Sequence, residues 1–217
     1  WRCIWNSYNT FAFMTLNEIV YNLADIVGKT DVPHFLERLK FNVMYYRALL
    51  IRRDQERNTH LPEQFMQSFC MEMEKVNASE CCDVEIDCII MRSKKKLPSP
   101  IRLKNGSPLT YVGTLDNLKS YAPMSVGELP FIGHSSFTGK VARYFVQNDY
   151  LYIVNAKPIK VVVKGIFEDP RDLKDFDCDG DCYDDDNSFP ITADMVQRIT
   201  QSLLAGELQI LLPGDGG

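Results

Sequence analysis

The spacing of apolar residues changes along this chain, and that change restricts the fold more than any other feature of the sequence. Before about residue 60 the apolar residues recur every three or four positions, which is the period of an amphipathic helix. After it they alternate with polar residues or run together as β-branched stretches, which is typical of strands. Helical spacing returns near the C-terminus. Helices and strands segregated in this way predict an α+β fold.

Two helices are predicted in the N-terminal part. Thr15–Glu18 fits a capping box, and Gly28 stands where a glycine often ends a helix. The second helix is predicted from an N-cap at Asp31 to about Asn58, with Pro33 in its first turn. The residues predicted to form its core face are Phe35, Leu36, Leu39, Val43, Tyr46, Leu49 and Leu50, and those predicted to lie mostly elsewhere are Arg38, Lys40, Asn42, Arg47, Arg52 and Arg53.

The rest of the chain is predicted to contain strands and one further helix. Residues 65–76 fit either a helix or an alternating strand. Asn148 and Asp149 form a two-residue hairpin signal. The predicted strands are Glu85–Ser93, Arg143–Gln147, Tyr150–Asn155 and Ile159–Phe167. Thr192 is predicted to cap the last helix, whose apolar residues are Met195, Val196, Ile199, Leu203 and Leu204.

This order of elements predicts five segments. Residues 1–13 form an N-terminal extension, 14–60 a helical hairpin, 61–171 a β-rich and antiparallel region, and 172–190 an acidic loop. Residues 191–217 hold the last helix and an apolar tail. We expect this last segment to pack with the N-terminal helices as one domain, so that the helices form one layer.

Charge and cysteine content exclude some classes of protein. The net charge is −5, and residues 172–186 hold eight aspartates and one lysine, which leaves the remainder slightly positive. The chain is therefore not a basic nucleic-acid binder. Its odd number of cysteines, seven, with no visible secretory signal, predicts free thiols. No run approaches the ~20 apolar residues of a membrane span, so we expect no membrane partner.

Catalytic motifs are missing from the sequence. Its three histidines are scattered, and no phosphate-binding loop, nucleophile elbow or zinc-protease motif is present. We therefore predict a protein that is not an enzyme and has no cofactor. The alternative is a metal-binding protein or metal-dependent enzyme that uses cysteines and aspartates, and the candidate ligands are Cys81, Cys82, Cys178, Cys182 and the aspartates of 177–186.

That alternative has poor ligand spacing. A calcium loop of the EF-hand type that begins at Asp177 would need glycine where Cys182 stands and glutamate where Ser188 stands. The cysteine spacings are not standard for zinc. An acidic loop in solvent, or one in contact with a neighbouring copy, is the simpler interpretation. In a contact between copies, the acidic loop of one copy would pair with basic residues of its neighbour. The predicted contact joins Lys94, Lys95 and Lys96 to Asp184, Asp185 and Asp186 of another copy.

Four stretches of sequence carry a resemblance to a known family. They are the helical opening LNEIVYNLADIVG, the MRSKKKLPSPIRL segment after Ser79–Cys82, the YLYIVNAKPIKVVVKGIFEDPRD run and the CDGDCYDDDNSFPIT loop. Together they make the chain similar to ring or head-to-tail connector proteins of crAss-like tailed bacteriophages. The order of helices and strands also resembles the adaptor proteins of short-tailed phages.

This resemblance implies a structural virion protein at the head–tail junction, assembled in the host cytoplasm. Its expected partners are further copies in a closed ring of about twelve, the portal protein, neighbouring ring or tail proteins, and double-stranded DNA that passes through the channel. The resemblance also assigns the C-terminal region to the portal or ring interface. The residues it implies there are Leu203, Leu204, Leu208, Ile210, Leu211 and Leu212.

Overall fold

The first helix, α1, spans Leu16–Ile26 and begins with the predicted capping box. The Thr15 hydroxyl accepts from the Glu18 backbone N–H at 3.1 Å, and the Glu18 carboxylate accepts from the Thr15 N–H at 2.8 Å. Beyond the helix end, Gly28 adopts φ +67°, a conformation that glycine takes without strain. The structure, a computed structural model, describes residues 14–57, 61–76, 90–101, 109–131, 141–176 and 185–206.

The second helix, α2, spans Pro33–Glu56 and differs from the prediction at its start. Its N-cap is Val32 in extended conformation, with no side-chain cap hydrogen bond, so the predicted cap at Asp31 is wrong. Proline fits the first helical position because its fixed φ is already helical and its missing N–H is not needed there. The helix ends at Glu56 with Arg57 at the C-cap, close to the predicted end at about Asn58.

The third helix, α3, spans Ala193–Ala205 and ends before Gly206. Thr192 occupies the predicted N-cap position, although its side chain makes no cap hydrogen bond. Met195, Ile199 and Leu203 are buried at four-residue spacing. Both α1 and α3 pack against α2.

Within the described residues the strands form one sheet of seven, in the order β3-β7-β1-β2-β6-β5-β4. Every pairing is antiparallel except that of β4 with β5. The strands are β1 Gln67–Val76, β2 Ile90–Ser93, β3 Leu109–Gly113, β4 Ala122–Pro123, β5 Arg143–Gln147, β6 Tyr150–Val154 and β7 Lys160–Gly165. Short 3-10 helices lie at Glu63–Phe65, Val126–Phe131 and Pro170–Asp175. The predicted α+β class is confirmed.

The ambiguous segment 65–76 is mainly strand β1. Its buried residues Phe69, Met71 and Met73 alternate with less buried neighbours, which is the two-residue period of a half-buried strand. The predicted hairpin is confirmed as well, because β5 and β6 are antiparallel around Asn148 and Asn148 and Asp149 both have positive φ. Of the predicted strand Glu85–Ser93, residues 85–89 lie outside the described residues.

The two outer strands of the sheet are linked by the segment between them. Tyr121 N–H donates to the Val112 carbonyl of β3 at 2.8 Å, and Ser120 forms a bridge with Gly113. Two residues further on, β4 pairs with the start of β5. Part of the outer edge of β3 is therefore covered within the chain, which limits the edge left there for an added strand.

Two compact units are formed by these elements. The helical unit comprises the described residues of 14–66, 168–174 and 185–206. The sheet unit comprises those of 67–167 and 175–176. Within the sheet unit Cys70 is disulfide-bonded, so the expectation of free thiols is wrong at this position. The other six cysteines lie outside the described residues.

Candidate assembly surfaces

The solvent-facing side of α2 carries a row of large apolar side chains. Phe41, Tyr45 and Leu49, which we call the α2 stripe, recur every four residues and are 62, 53 and 36% exposed. The rings of Phe41 and Tyr45 stack with centroids 6.5 Å apart. That spacing matches the roughly 6 Å rise of four helical residues. A contiguous apolar row of this kind on a surface is typical of a contact site.

Charged side chains border the α2 stripe at both ends. Arg38 is exposed one turn before Phe41, and Arg53 is exposed one turn after Leu49. Next to Arg53, Arg52 forms an ion pair with Glu168. Glu37 is exposed as well one turn before Phe41 and offsets the charge of Arg38, so the basic end of the stripe is the one at Arg53. The partner that fits the stripe is apolar with an acidic group near that end.

A second apolar surface lies in the sheet unit, on the turn of Thr114–Lys119, which we call the Leu turn. Leu115 is 53% exposed and Leu118 is 82% exposed. Both leucines project from a turn that follows β3 directly. Sequence analysis did not identify this turn, because two leucines separated by two polar residues give no pattern of their own.

Internal hydrogen bonds hold the Leu turn in one conformation. The Thr114 hydroxyl donates to the Asp116 carboxylate, which also accepts from the Leu118 N–H at 3.0 Å. The Lys119 N–H donates to the Thr114 hydroxyl oxygen at 3.2 Å, and the Thr114 N–H to the Lys119 carbonyl at 2.9 Å. Asn117 supplies the positive φ of 58° that closes the turn. The hydrogen bonds from Thr114 and from the Leu118 N–H lower the pKa of Asp116, so this carboxylate is charged at neutral pH.

The base of the Leu turn requires glycine at position 113. A Cβ atom there would overlap the carbonyl oxygen of Lys119 and the hydroxyl of Tyr111. The Tyr111 hydroxyl donates to that same carbonyl at 3.2 Å. The turn is therefore anchored to β3 by close backbone packing as well as by its own hydrogen bonds.

The three lysines predicted to contact a neighbouring copy already have partners within their own chain. Lys94 pairs with Glu72 at 2.9 Å, and Lys96 lies 3.9 Å from Asp149. The hydrogen bond between Lys94 and Glu72 raises the pKa of the lysine and lowers that of the glutamate. Lys95 donates to the Asp175 carbonyl. The contact of these lysines with a neighbouring copy stays a prediction.

The described aspartates of the predicted charge contact also have partners in the chain. Asp185 accepts from Lys40 at 2.8 Å, and Asp186 accepts from the Asn17 amide at 2.6 Å. The hydrogen bond with Asp185 raises the pKa of Lys40, against the opposing effect of burial. Asp184 lies outside the described residues, as do Cys81, Cys82, Cys178 and Cys182. Within the part of the chain that the structure describes, no group of three or more potential metal ligands is found.

Of the residues predicted for the portal interface, two are described. Leu203 is fully buried in the helical unit, and Leu204 is partly exposed beside it. Leu208, Ile210, Leu211 and Leu212 lie outside the described residues. Leu203 is therefore a core residue of its own chain, and the portal contact of the other five stays a prediction.

Arg47, in the middle of α2, is fully buried and was not predicted to be. Its Nε donates to the Pro190 carbonyl at 2.8 Å, and its guanidinium lies 5.7 Å from the centre of the Phe189 ring. The Phe189 N–H donates to the Met14 carbonyl at 3.1 Å. Arg47 thus fixes the segment before α3 against α2, and so contributes to the scaffold that carries the α2 stripe.

Exposed apolar surfaces on two small units, one of them built on a preorganised turn, are typical of a subunit that assembles with partners. A family model described as phage tail ring protein 2 matches residues 18–216. The chain belongs to this family, and the resemblance to ring proteins of crAss-like phages is confirmed. None of the curated proteins matches the chain. As a tail ring protein it is a structural component of the virion that assembles into an oligomeric ring.

The helices were also compared with the length and apolar character of a membrane-spanning helix. Among the residues described, no helix combines the length and the apolar character that a membrane crossing needs.

Proposed function

We propose that this tail ring protein is a subunit of the head-to-tail connector, in a closed ring of about twelve copies around the DNA channel. The observation that carries the proposal is the α2 stripe, together with membership of the ring family. A ring subunit must keep apolar surface exposed on its folded monomer, because that surface becomes buried only when its neighbour binds. The role is structural, and we assign the chain no catalytic step.

The helical unit is the part that we propose to be adaptor-like. The packing of α1 and α3 on α2 supports a helical hairpin completed by the C-terminal helix as one layer. In this arrangement the last turn of α3, with the partly exposed Leu204, leads into the apolar tail. We propose that Leu208, Ile210, Leu211 and Leu212 contact the portal, with Leu204 at the edge of that contact. Leu203 supports the contact from inside the core.

We also propose that the acidic loop of one copy contacts basic residues of the next, in a form that allows for the ion pairs already present within each chain. Because Lys40 and Asp185 already pair at 2.8 Å, an acidic loop that contacts a neighbour would offer its other carboxylates first. On the basic side Lys94 is already paired with Glu72, and both are about half exposed. A neighbouring acidic group would join this exposed pair, and the contact would orient copies more than it would strengthen their binding.

The ring is tested by native mass spectrometry and class averaging of the full chain, alone and with the portal protein. We expect closed rings of about twelve copies. Deletion of residues 207–217 should leave the ring intact and abolish its association with the portal. A stable monomer under both conditions would contradict the ring, and unchanged portal binding after the deletion would contradict the assignment of the tail. Stoichiometric metal in a monomer would favour the metal-binding alternative.

A further inference from the structure

The Leu turn and the α2 stripe are two different apolar surfaces on one chain. A cyclic ring is built from heterologous contacts, in which one surface of each copy binds a different surface of the next. Such a ring therefore needs two unlike surfaces that fit each other. The described residues offer a projecting turn with two leucines and a helix face with a row of two aromatic rings and a leucine.

We propose that the Leu turn of one copy docks on the α2 stripe of the next copy in the ring, an inference that rests on the proposed ring function. Leu115 and Leu118 lie against Phe41, Tyr45 and Leu49. The partner is a second copy of this chain, and the repeated contact closes the ring.

Charge supports this pairing. Asp116 stands between the two leucines in sequence and is exposed, and its carboxylate is held in place by the Thr114 hydroxyl and the Leu118 N–H. The α2 stripe has the exposed Arg53 after it, and before it Glu37 and Arg38 are exposed side by side. An acidic group on the turn and a basic group at one end of the stripe fix the orientation of the two copies.

The rigidity of the Leu turn supports the pairing as well. A flexible loop loses conformational freedom when it binds, which weakens the contact, whereas a turn already closed by its own hydrogen bonds loses little. The bonds of Thr114 with Asp116 and Lys119 all lie within the turn, so docking need not break them. The two leucines are therefore presented in the conformation in which they bind.

The test uses two variants of the full chain. The turn variant is Leu115→Ser with Leu118→Ser, and the stripe variant is Phe41→Ser with Tyr45→Ser. Each should be monomeric at concentrations where the wild type forms rings. Ile159→Ser is the matched control, because Ile159 is 81% exposed in the same unit as Leu118 and lies outside both surfaces. It should assemble as the wild type does, and circular dichroism should show all three variants folded.

A mixture of the two variants gives the sharper result. The stripe variant keeps an intact Leu turn, and the turn variant keeps an intact α2 stripe. Each molecule in the mixture therefore has one working surface, which can bind one molecule of the other variant. The mixture should therefore form heterodimers and nothing larger, as measured by native mass. Rings from either variant alone, or a mixture that stays monomeric, would overturn the pairing.

A cross-link keeps the test independent of variant folding. Benzoylphenylalanine in place of Leu118 should cross-link to a peptide that contains residues 38–53 of another copy, identified in rings mixed from isotope-labelled and unlabelled chains. Cross-links to a different peptide, or to another ring protein alone, would overturn this inference and leave the proposed ring function standing. A wild-type chain that never self-associates would overturn both.

Discussion

Each face of α2 contains residues of a type that is unusual for its surroundings. The face that packs inward contains Arg47, fully buried, and Asn42, 6% exposed. The outward face contains Phe41 and Tyr45, both more than half exposed. Both faces belong to one continuous helix, so the difference arises from what each face contacts and not from local structure.

This contrast separates residues that build the monomer from residues that build the assembly. On the inward face Arg47 is kept because its guanidinium holds the Pro190 carbonyl and lies by the Phe189 ring. On the outward face the stacked rings of Phe41 and Tyr45 do nothing comparable for the core. Substitutions on the two faces should therefore affect different measurements, namely unfolding on one side and assembly on the other.

The largest expected effect on folding comes from a comparison of two truncations. Ile51→Ala, on the inward face, should lower the free energy of unfolding by about 2–5 kcal/mol, because Ile51 is fully buried and a cavity is left. Leu49→Ala, on the outward face, should lower it by about 1 kcal/mol or less, because Leu49 is 36% exposed and only partly covered by its own chain. Urea unfolding of the monomer, followed by circular dichroism, measures both.

Two results would break this contrast. A loss at Leu49→Ala as large as that at Ile51→Ala would mean that the outward face supports the core of the monomer. A small loss at Ile51→Ala would mean that the inward face repacks around the cavity. Unfolding must be measured below the concentration at which copies associate, because association adds apparent stability to any surface it buries.

The next effect in size concerns the buried arginine. Arg47→Ala should destabilise the chain by about 2–3 kcal/mol, because it removes packing and leaves the Pro190 carbonyl without its hydrogen bond. Arg47→Met should cost less than half of that, since it keeps most of the volume and no longer buries a charge. Equal losses for the two variants would show that the hydrogen bond to Pro190, and not the packing of the side chain, is what Arg47 contributes.

The sequence predicts the elements of the helical unit better than their buried faces. The capping box at Thr15 and Glu18 and the glycine at 28 are local signals, and both are confirmed. Burial along α2 is not local, because it depends on how α1, α3 and the segment before α3 pack on that helix. The buried Arg47 could not be predicted, since its hydrogen-bond acceptor, Pro190, is 143 residues away in sequence.

The same limit applies to the sheet unit. The hairpin at Asn148 and Asp149 follows from two adjacent residues that tolerate positive φ, and it is confirmed. The Leu turn depends on Thr114, Asp116 and Lys119 acting together, which only the folded backbone shows. The resemblance identified the ring family from sequence, whereas the surfaces proposed for assembly required the structure.

The smallest expected effect concerns the ion pair of Lys40 with Asp185, which lies beside the α2 stripe on the same helix. Its hydrogen bond with Asp185 raises the pKa of Lys40 above the ordinary value of 10.5 in the folded chain. A raised pKa means that the pair stabilises the fold fully below about pH 10.5, and that this contribution is lost as the pH rises through the folded-state pKa. Lys40→Met should therefore cost about 0.2–1 kcal/mol between pH 7 and pH 9, and less above pH 10.5.

The difference in unfolding free energy between wild type and Lys40→Met, measured by urea at each pH, isolates this pair from the other groups that titrate. Lys157→Met, in the sheet unit, is the control for the loss of an exposed lysine. A difference that stays constant to high pH would mean that Lys40 contributes by packing its methylene groups on α2, not by its charge. The acidic loop would then be held to α1 by the Asn17 amide and backbone N–H, and the Asp185 carboxylate would be available for the neighbouring copy.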